Sequence, residues 1–195
     1  MSVKGRADEG VRETRLGAEL DPLNARLNHL HGIALRYARR YDEAVEYHRR
    51  AAQLDHEFVA THYHAAWAYL LKGMYHEALA EMDTAARLDS SRFGAHAVVG
   101  PVYGRAFVGV IHGREGKRAE ALATLRHLEK GSRTSPWPAR AYIYAAVGDR
   151  ERTLEALDQM IEQREFPQGP TLGNAIWDPV RSDPRFAQLL KKAGL

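Results

Sequence analysis

The sequence predicts an all-helical protein built from stacked pairs of antiparallel helices. The first observation is a repeat, because "RRYDEAVEYHRRAAQLD" at 39–55 and "GMYHEALAEMDTAARLD" at 73–89 match at Tyr, Glu, Ala and Leu-Asp positions, always 34 residues apart. The second observation is that apolar residues recur at helical spacing, without the alternation of a half-buried strand. Repeats of this length are typical of helix pairs that stack, since one pair cannot bury its apolar face alone.

The repeat divides the chain into elements. The opening segment 5–22 lies 34 residues before 39–55 and shows the same pattern, which is that of the second helix of a pair. It is therefore predicted to be half a repeat. Full pairs are predicted at 24–56, 58–90, 101–131 and 135–163. Matching positions of the second and third pairs lie 43 residues apart, which predicts an insertion at 91–100 and a helix that begins at Pro101. The alternative is one long helix from Arg92 that is broken at Pro101.

Small residues and glycines mark the contacts and turns of each pair. Gly5, Gly73, Gly116 and Gly148 occupy the turn before the second helix, where a left-handed backbone is expected, and Arg39 stands in that slot in one pair. Gly32, Ala66, Gly109 and Ala141 are predicted where the paired helices approach closely. The facing small positions on the second helices are Ala44, Ala78, Ala121 and Thr153.

The tail is predicted to close the stack. Residues 164–182 read as a loop, and residues 183–193 as a capping helix with Asp183 as N-cap and Pro184 as its first residue. Phe186, Leu189 and Leu190 form its apolar stripe. We therefore predict a single domain over 1–195.

Composition excludes several classes of function. The chain has no cysteine, so it has no disulfide, thiolate metal site or cysteine nucleophile. The net charge of +3 is spread along the chain, which argues against a nucleic-acid footprint. Neither a signal peptide nor a membrane span is visible, which favours a cytoplasmic protein. No catalytic or metal-binding motif is found, so we expect a protein that is not an enzyme and has no cofactor.

The large residues Leu35, Tyr69 and Tyr144 follow the small positions of the first helices by three residues. This pattern of small, large and alanine positions at a period of 34 resembles the tetratricopeptide repeat. The resemblance covers residues 5–163 and implies a right-handed superhelix, an α-solenoid, of about four and a half repeats. In such proteins the first helices line a concave groove that binds a peptide or helix of a partner protein. The implied groove positions here are His29, Ile33, Arg36, Tyr37, Tyr63, Trp67, Leu70, Tyr103, Ala106, Val110, Arg114, Ser135, Tyr142 and Ala145. The Lys/Asn carboxylate clamp of chaperone-binding members is absent, because His29, Ile33, Tyr63 and Trp67 stand in its slots.

The ending "DPVRSDPRFAQLL" is similar to the C-terminal end of the tetratricopeptide region in bacterial multidomain regulators. That resemblance implies a scaffold or adaptor role, or the regulatory part of a winged-helix transcription regulator, nucleotide cyclase or kinase. Three interpretations of the opening half repeat stay open: part of a larger regulator, a free-standing protein with a capping helix, or a homodimer that supplies the missing helix in trans.

Overall fold

The computed structural model describes residues 3–93, 101–131, 137–163 and 173–194, and all regular structure in these ranges is helical. Consecutive helices that share a short turn pack against each other, as the predicted helix pairs require. The helices are α1 (Val3–Leu20), α2 (Ala25–Tyr37), α3 (Tyr41–Leu54), α4 (Val59–Lys72), α5 (Tyr75–Phe93), α6 (Pro101–Arg114), α7 (Arg118–Gly131), α8 (Trp137–Ala146), α9 (Arg150–Glu162), the 3-10 helix Ala175–Trp177 and α10 (Pro184–Lys192).

The chain forms two compact units, Met1–Gly100 and Pro101–Leu195, which we call unit 1 and unit 2. In unit 1, α2 pairs with α3 and α4 pairs with α5, while α1 packs on α2 and α3 packs on α4. In unit 2, α6 pairs with α7 and α8 pairs with α9, α6 packs on α8, and α10 packs on α9. The single-domain boundaries stay a prediction.

The turns inside the four pairs share one geometry. Gly73, Gly116 and Gly148 have φ values of 85°, 79° and 74°, in the left-handed region that glycine adopts at low cost. The next residue donates its N–H to the carbonyl five positions back, as in Met74 to Tyr69 at 2.9 Å, which satisfies a helix-end carbonyl. Arg39 adopts the same conformation with φ 64° although it has a side chain.

The predicted turn at Gly5 is wrong, because α1 already begins at Val3 and includes Gly5. The flanking residues Lys4, Arg6 and Ala7 are good helix formers, and one glycine inside a helix costs only about 1 kcal/mol relative to alanine. The backbone therefore stays helical through residue 5.

Small side chains line the contacts between helices, as the repeat predicts. A Cβ added at Gly32 would lie 2.7 Å from Cε1 of His48 on the paired helix, so only glycine fits there. Ala66 and Ala141 are buried at the corresponding positions. Ala44, Ala78, Ala121 and Thr153 on the second helices are also fully buried. Thr153 donates its hydroxyl to the Asp149 carbonyl at 2.6 Å, so its buried oxygen has a partner.

The predicted insertion at 91–100 is covered only in part. Helix α5 continues to Phe93, three residues beyond the predicted end of the pair, and α6 begins at Pro101 as expected. Residues 94–100 lie outside the described residues, so the two alternatives for this segment stay open.

The tail folds onto unit 2 in two steps. After the undescribed residues 164–172, Asn174 caps the 3-10 helix by accepting a hydrogen bond from the N–H of Ile176. Ile176, Trp177 and Val180 are buried. Asp183 then caps α10 and Pro184 is its first residue, which confirms the predicted start of the capping helix. The 3-10 helix was not predicted.

None of the helices among the described residues is both long and apolar enough to cross a membrane.

Candidate partner-binding surface

The predicted groove residues of unit 1 lie on α2 and α4. These two helices touch through His29 and Thr61, whose Nδ1 and Oγ1 atoms are 3.3 Å apart, and through Arg36 and His64. Three predicted residues, Ile33, Tyr37 and Tyr63, are partly exposed. We call them the apolar strip. Their spacing of four residues on α2 places Ile33 and Tyr37 on one face of the helix.

The other groove residues of α4 form the support beneath this strip. Trp67 is almost fully buried and Leu70 is fully buried, so both side chains belong to the packed interior of unit 1. The Trp67 ring lies edge-on to Tyr63, with centroids 6.5 Å apart. This contact fixes the orientation of the Tyr63 ring, since edge-to-face pairs at this distance are favourable.

Arg36 is a buried cation, with only 4% of its surface exposed. Its Nη2 donates to Nδ1 of His64 at 3.4 Å, and its guanidinium lies 4.5 Å from the centroid of the Tyr37 ring. Its Nε has no hydrogen-bond partner, and no carboxylate pairs with the guanidinium within the described ranges. A buried charge without a counter-ion costs free energy. A carboxylate placed near Arg36 would therefore lower the free energy of this charge.

Three histidines, His29, His48 and His64, lie close enough to Arg36 to feel its charge, and we call them the histidine cluster. They come from α2, α3 and α4, and their ring centroids are 5.4 Å (His29–His48), 5.2 Å (His29–His64) and 6.3 Å (His48–His64) apart. His48 is fully buried, and neither of its ring nitrogens has a hydrogen-bond partner. The Phe58 ring closes the cluster at 4.8 Å from His29.

The cluster is held in the neutral form. Burial lowers the pKa of His29 to about 4, assisted by the positive charges of Arg36 and Arg26. Burial also lowers the pKa of His48 and of His64 well below the usual value, and Arg36 adds to both shifts. Because a neutral imidazole carries no charge to repel the guanidinium, the cluster tolerates Arg36 at neutral pH.

The sequence analysis missed this cluster, although a signal was present. The repeat places His48 in the slot of Met82, Leu125 and Leu157, which are buried apolar residues in the other pairs. A polar residue in an apolar core slot indicates a buried polar group that has been accommodated by its neighbours. The ring contacts of His48 come from two other helices, with His29 on α2 and His64 on α4, so spacing within one helix could not reveal them.

In unit 2 most predicted groove residues are covered. Tyr142 lies under Trp177 of the 3-10 helix, with ring centroids 4.9 Å apart and the planes nearly parallel. Val110 is fully buried, Ala106 and Ala145 are buried, and Arg114 is exposed. The side chain of Tyr103 and all of Ser135 lie outside the described residues. The tail therefore occupies the surface over Tyr142 that the resemblance assigned to a partner.

Among the described residues, no group of three or more histidine or acidic side chains is arranged to hold a metal ion. The three rings of the histidine cluster do not form such a group either. The surface of unit 1 can thus offer apolar contact through the strip, with the positive potential of the buried Arg36 beside it. That combination suits recognition of a polypeptide.

No protein-family model matches the chain, and no curated protein is significantly similar to it.

Proposed function

We propose that the chain is a protein-interaction module of the tetratricopeptide-repeat type and that it binds a segment of a partner protein on the α2–α4 surface of unit 1. The right-handed superhelix and the count of four and a half repeats belong to this proposal. Its support is the 34-residue frame together with the antiparallel pairs, the left-handed turns and the small contact residues. The binding is non-catalytic docking.

The observation that carries the proposal is the pairing of the apolar strip with Arg36. Half-exposed Ile33, Tyr37 and Tyr63 offer apolar area, and aromatic side chains contribute strongly to protein interfaces. The guanidinium of Arg36, which has no carboxylate partner among the described residues, lies against the Tyr37 ring of the strip. A partner that brings apolar side chains and one carboxylate would cover the strip and compensate the buried charge.

Site-specific photo-crosslinking tests this surface in extracts of the native cell. The crosslinking residue replaces Tyr63 in one variant and Tyr75 in another. Tyr75 is a matched control because it is also a partly exposed tyrosine at a helix surface of unit 1, on the second helix α5. We expect a discrete adduct from position 63 and none from position 75.

Specificity is then tested by adding Ile33→Ser to the position-63 variant. We expect the adduct yield to fall about tenfold, since losing an apolar contact in an interface centre costs above 1 kcal/mol. An adduct of equal yield from both positions, or one that survives Ile33→Ser unchanged, contradicts the proposal. Circular dichroism at 222 nm checks that each variant keeps its helices.

A further inference from the structure

Two arginines of the fourth helix pair depart from the repeat. The residue before the small contact position of the second helix is glutamate in the first three pairs and Arg152 in the fourth. An acid suits the first turn of a helix, whereas a cation there opposes the helix dipole. The residue before the small position of the first helix is Arg140, and its counterparts are His31, Ala65 and Val108. Departures from a local rule are expected at functional or strained sites.

Both arginines line one cleft of unit 2, which we call the arginine cleft. It has a volume of about 370 Å³ and is lined by side chains of α7, α8 and α9. Leu125 is buried, and Leu122 and Tyr144 are partly exposed, so the cleft has apolar walls. Arg126 of α7 adds a third guanidinium group. Small-molecule sites combine apolar walls with a few convergent polar groups in this way.

The charges in the arginine cleft do not balance. Its one carboxylate is Glu129, whose Oε1 accepts hydrogen bonds from Nε and Nη2 of Arg140, each at 2.7 Å. The guanidinium of Arg152 is 3.9 Å from Asp149, which also pairs with Arg118 at 3.2 Å. The arginine of α7 has no ion pair among the residues that the structure describes. Three guanidinium groups and one carboxylate leave the cleft with a net charge of +2.

The neighbouring surface restricts where an anion can bind. A second cleft shares Arg140, Tyr144 and Arg152 with the arginine cleft and extends along α9. Its other charged residues are Glu155 and Asp158, which repel an anion. An anion is therefore favoured on the α7 side of the three shared residues.

We propose that the arginine cleft binds an aryl phosphate, which is a phosphate monoester carried on an aromatic ring. The phosphate carries a charge of about −1.5 to −2 at pH 7, which matches the guanidinium groups of Arg126 and Arg152. Guanidinium groups donate paired hydrogen bonds to phosphate oxygens. Because the cleft is several times larger than a phosphate group, the ring occupies the rest of it, against Leu122 and Tyr144.

This site lies in unit 2 and the apolar strip lies in unit 1, so either proposal can fail while the other stands. A ¹H–¹⁵N NMR titration of the full chain gives the affinity and the location of binding together. The probes are phenyl phosphate, inorganic phosphate and benzoate at one ionic strength. We expect phenyl phosphate to shift the amide signals of the cleft residues. It should bind about fivefold more tightly than inorganic phosphate, which has no ring, and about fivefold more tightly than benzoate, which has one charge.

Arg152→Glu is the most direct variant, because it introduces the residue type of the other three pairs. We expect it to keep the fold and to abolish measurable binding of phenyl phosphate. Arg126→Ala with Arg152→Ala should weaken binding about tenfold or more, since two charge-assisted contacts are lost. The matched control is Arg105→Ala with Arg114→Ala, which removes two exposed arginines of α6 that do not line the cleft. The control should leave the affinity within about twofold.

A phosphotyrosine peptide distinguishes the two sources of an aryl phosphate. If the peptide binds more tightly than phenyl phosphate and shifts amide signals beyond the cleft, the ligand is a phosphorylated protein. If the two bind equally, the phosphorylated ring alone is recognised and the ligand is a free aryl phosphate. In both cases the unphosphorylated peptide should not bind.

Four results would overturn the proposal. Phenyl phosphate leaves the amide signals of the cleft unchanged, or benzoate binds as tightly as phenyl phosphate. The double alanine substitution in the cleft leaves the affinity unchanged. Finally, the control substitution weakens binding as much as the cleft substitution, which would mean that the chain attracts anions only through its overall positive charge.

Discussion

Arg39 adopts a backbone conformation that L-residues with a Cβ avoid. The other three turns of this kind place glycine at the same position and make the same hydrogen bonds. The cost of a left-handed conformation for a residue with a side chain is about 1–2 kcal/mol. The turn between α2 and α3 is thus formed against a local preference, and packing of the pair maintains it.

We expect Arg39→Gly to raise the free energy of unfolding of unit 1 by about 1 kcal/mol, because glycine removes the left-handed penalty. Urea denaturation followed by circular dichroism measures the change. The reciprocal variant Gly73→Arg should lose a similar amount at the equivalent turn. If Arg39→Gly destabilises the protein, contacts of the exposed Arg39 side chain outweigh the backbone strain.

Gly32 and Gly10 are two helical glycines with opposite surroundings. A methyl group at residue 32 would overlap the buried His48 ring at 2.7 Å, whereas one at residue 10 meets open space. We expect Gly32→Ala to lower the free energy of unfolding by about 1 kcal/mol, since overpacking exceeds the helix-propensity gain. Gly10→Ala should raise it by up to about 1 kcal/mol. Equal effects of the two substitutions in denaturant titrations would contradict this packing.

At the scale of the helices, the stability of the packing among α2, α3 and α4 should depend on pH. The pKa of His29 falls from 6.5 to about 4 on folding, and burial lowers the pKa of His48 and His64 as well. The unfolded chain then binds more protons than the folded chain below pH 6.5, so stability falls as the pH falls from 6.5 toward the folded pKa. For His29 alone the loss between pH 7 and pH 5 is about 2 kcal/mol.

His62 works in the opposite direction. Its Nδ1–H donates to the Glu81 carboxylate at 2.7 Å, which raises its pKa, so its contribution is present at low pH and is lost as the pH rises through the folded pKa. His31 has a lowered pKa, mainly through burial. The residues with lowered pKa values outnumber His62, so we expect acid to destabilise unit 1.

His48→Met isolates the cluster, because Met82 fills the same slot in the next pair. We expect the variant to lose less stability than the wild type between pH 7 and pH 5, because burial lowers the pKa of His48 and the variant has no imidazole there to take up a proton on unfolding. Urea titrations of both proteins at the two pH values give the comparison. His76→Met, at an exposed position of α5, is the control and should follow the wild type.

The sequence predicted those elements that depend on local periodicity. The helix pairs, the small contact positions and the start of α10 at Pro184 all follow from spacing and capping chemistry within a few residues. The histidine cluster joins three helices, and Trp177 of the tail meets Tyr142 across 35 residues of sequence. Long-range contacts of this kind depend on packing, which no local pattern encodes. For the candidate surface, therefore, the sequence indicated which helices contribute. Only the exposed fraction of each side chain in the structure distinguishes the apolar strip from the buried residues Trp67 and Leu70 beneath it.

At the scale of the molecule, each unit has its own core. Unit 1 is packed around alanines, Leu35, Leu70 and the histidine cluster. Unit 2 is packed around Ile143, Leu157 and Met160, and its tail contributes Trp177 and Phe186 to the interior. The tail of unit 2 is thus a structural part of that core, in addition to the capping role predicted for α10.

We expect Trp177→Ala to lower the stability of unit 2 by about 3–5 kcal/mol, because it removes a fully buried indole and its stacking on Tyr142. Hydrogen exchange with mass spectrometry should show faster exchange in α8 and α9. Arg181→Ala, at the neighbouring tail position, keeps the indole and should have a smaller effect. Unchanged protection of α8 in Trp177→Ala would show that the tail contributes little to the core.

The missing methyl group at Gly32 has a consequence for how this chain can evolve. An imidazole at residue 48 fits only while residue 32 is glycine, and the next pair shows the other solution, with Ala66 facing a helix that carries Met82. Residue 32 cannot gain a methyl group while residue 48 is histidine, whereas glycine itself accepts another partner, as Gly109 with Leu125 shows in the third pair. Descendants of this sequence that keep His48 should therefore also keep Gly32, and loss of the histidine should come before any enlargement of residue 32.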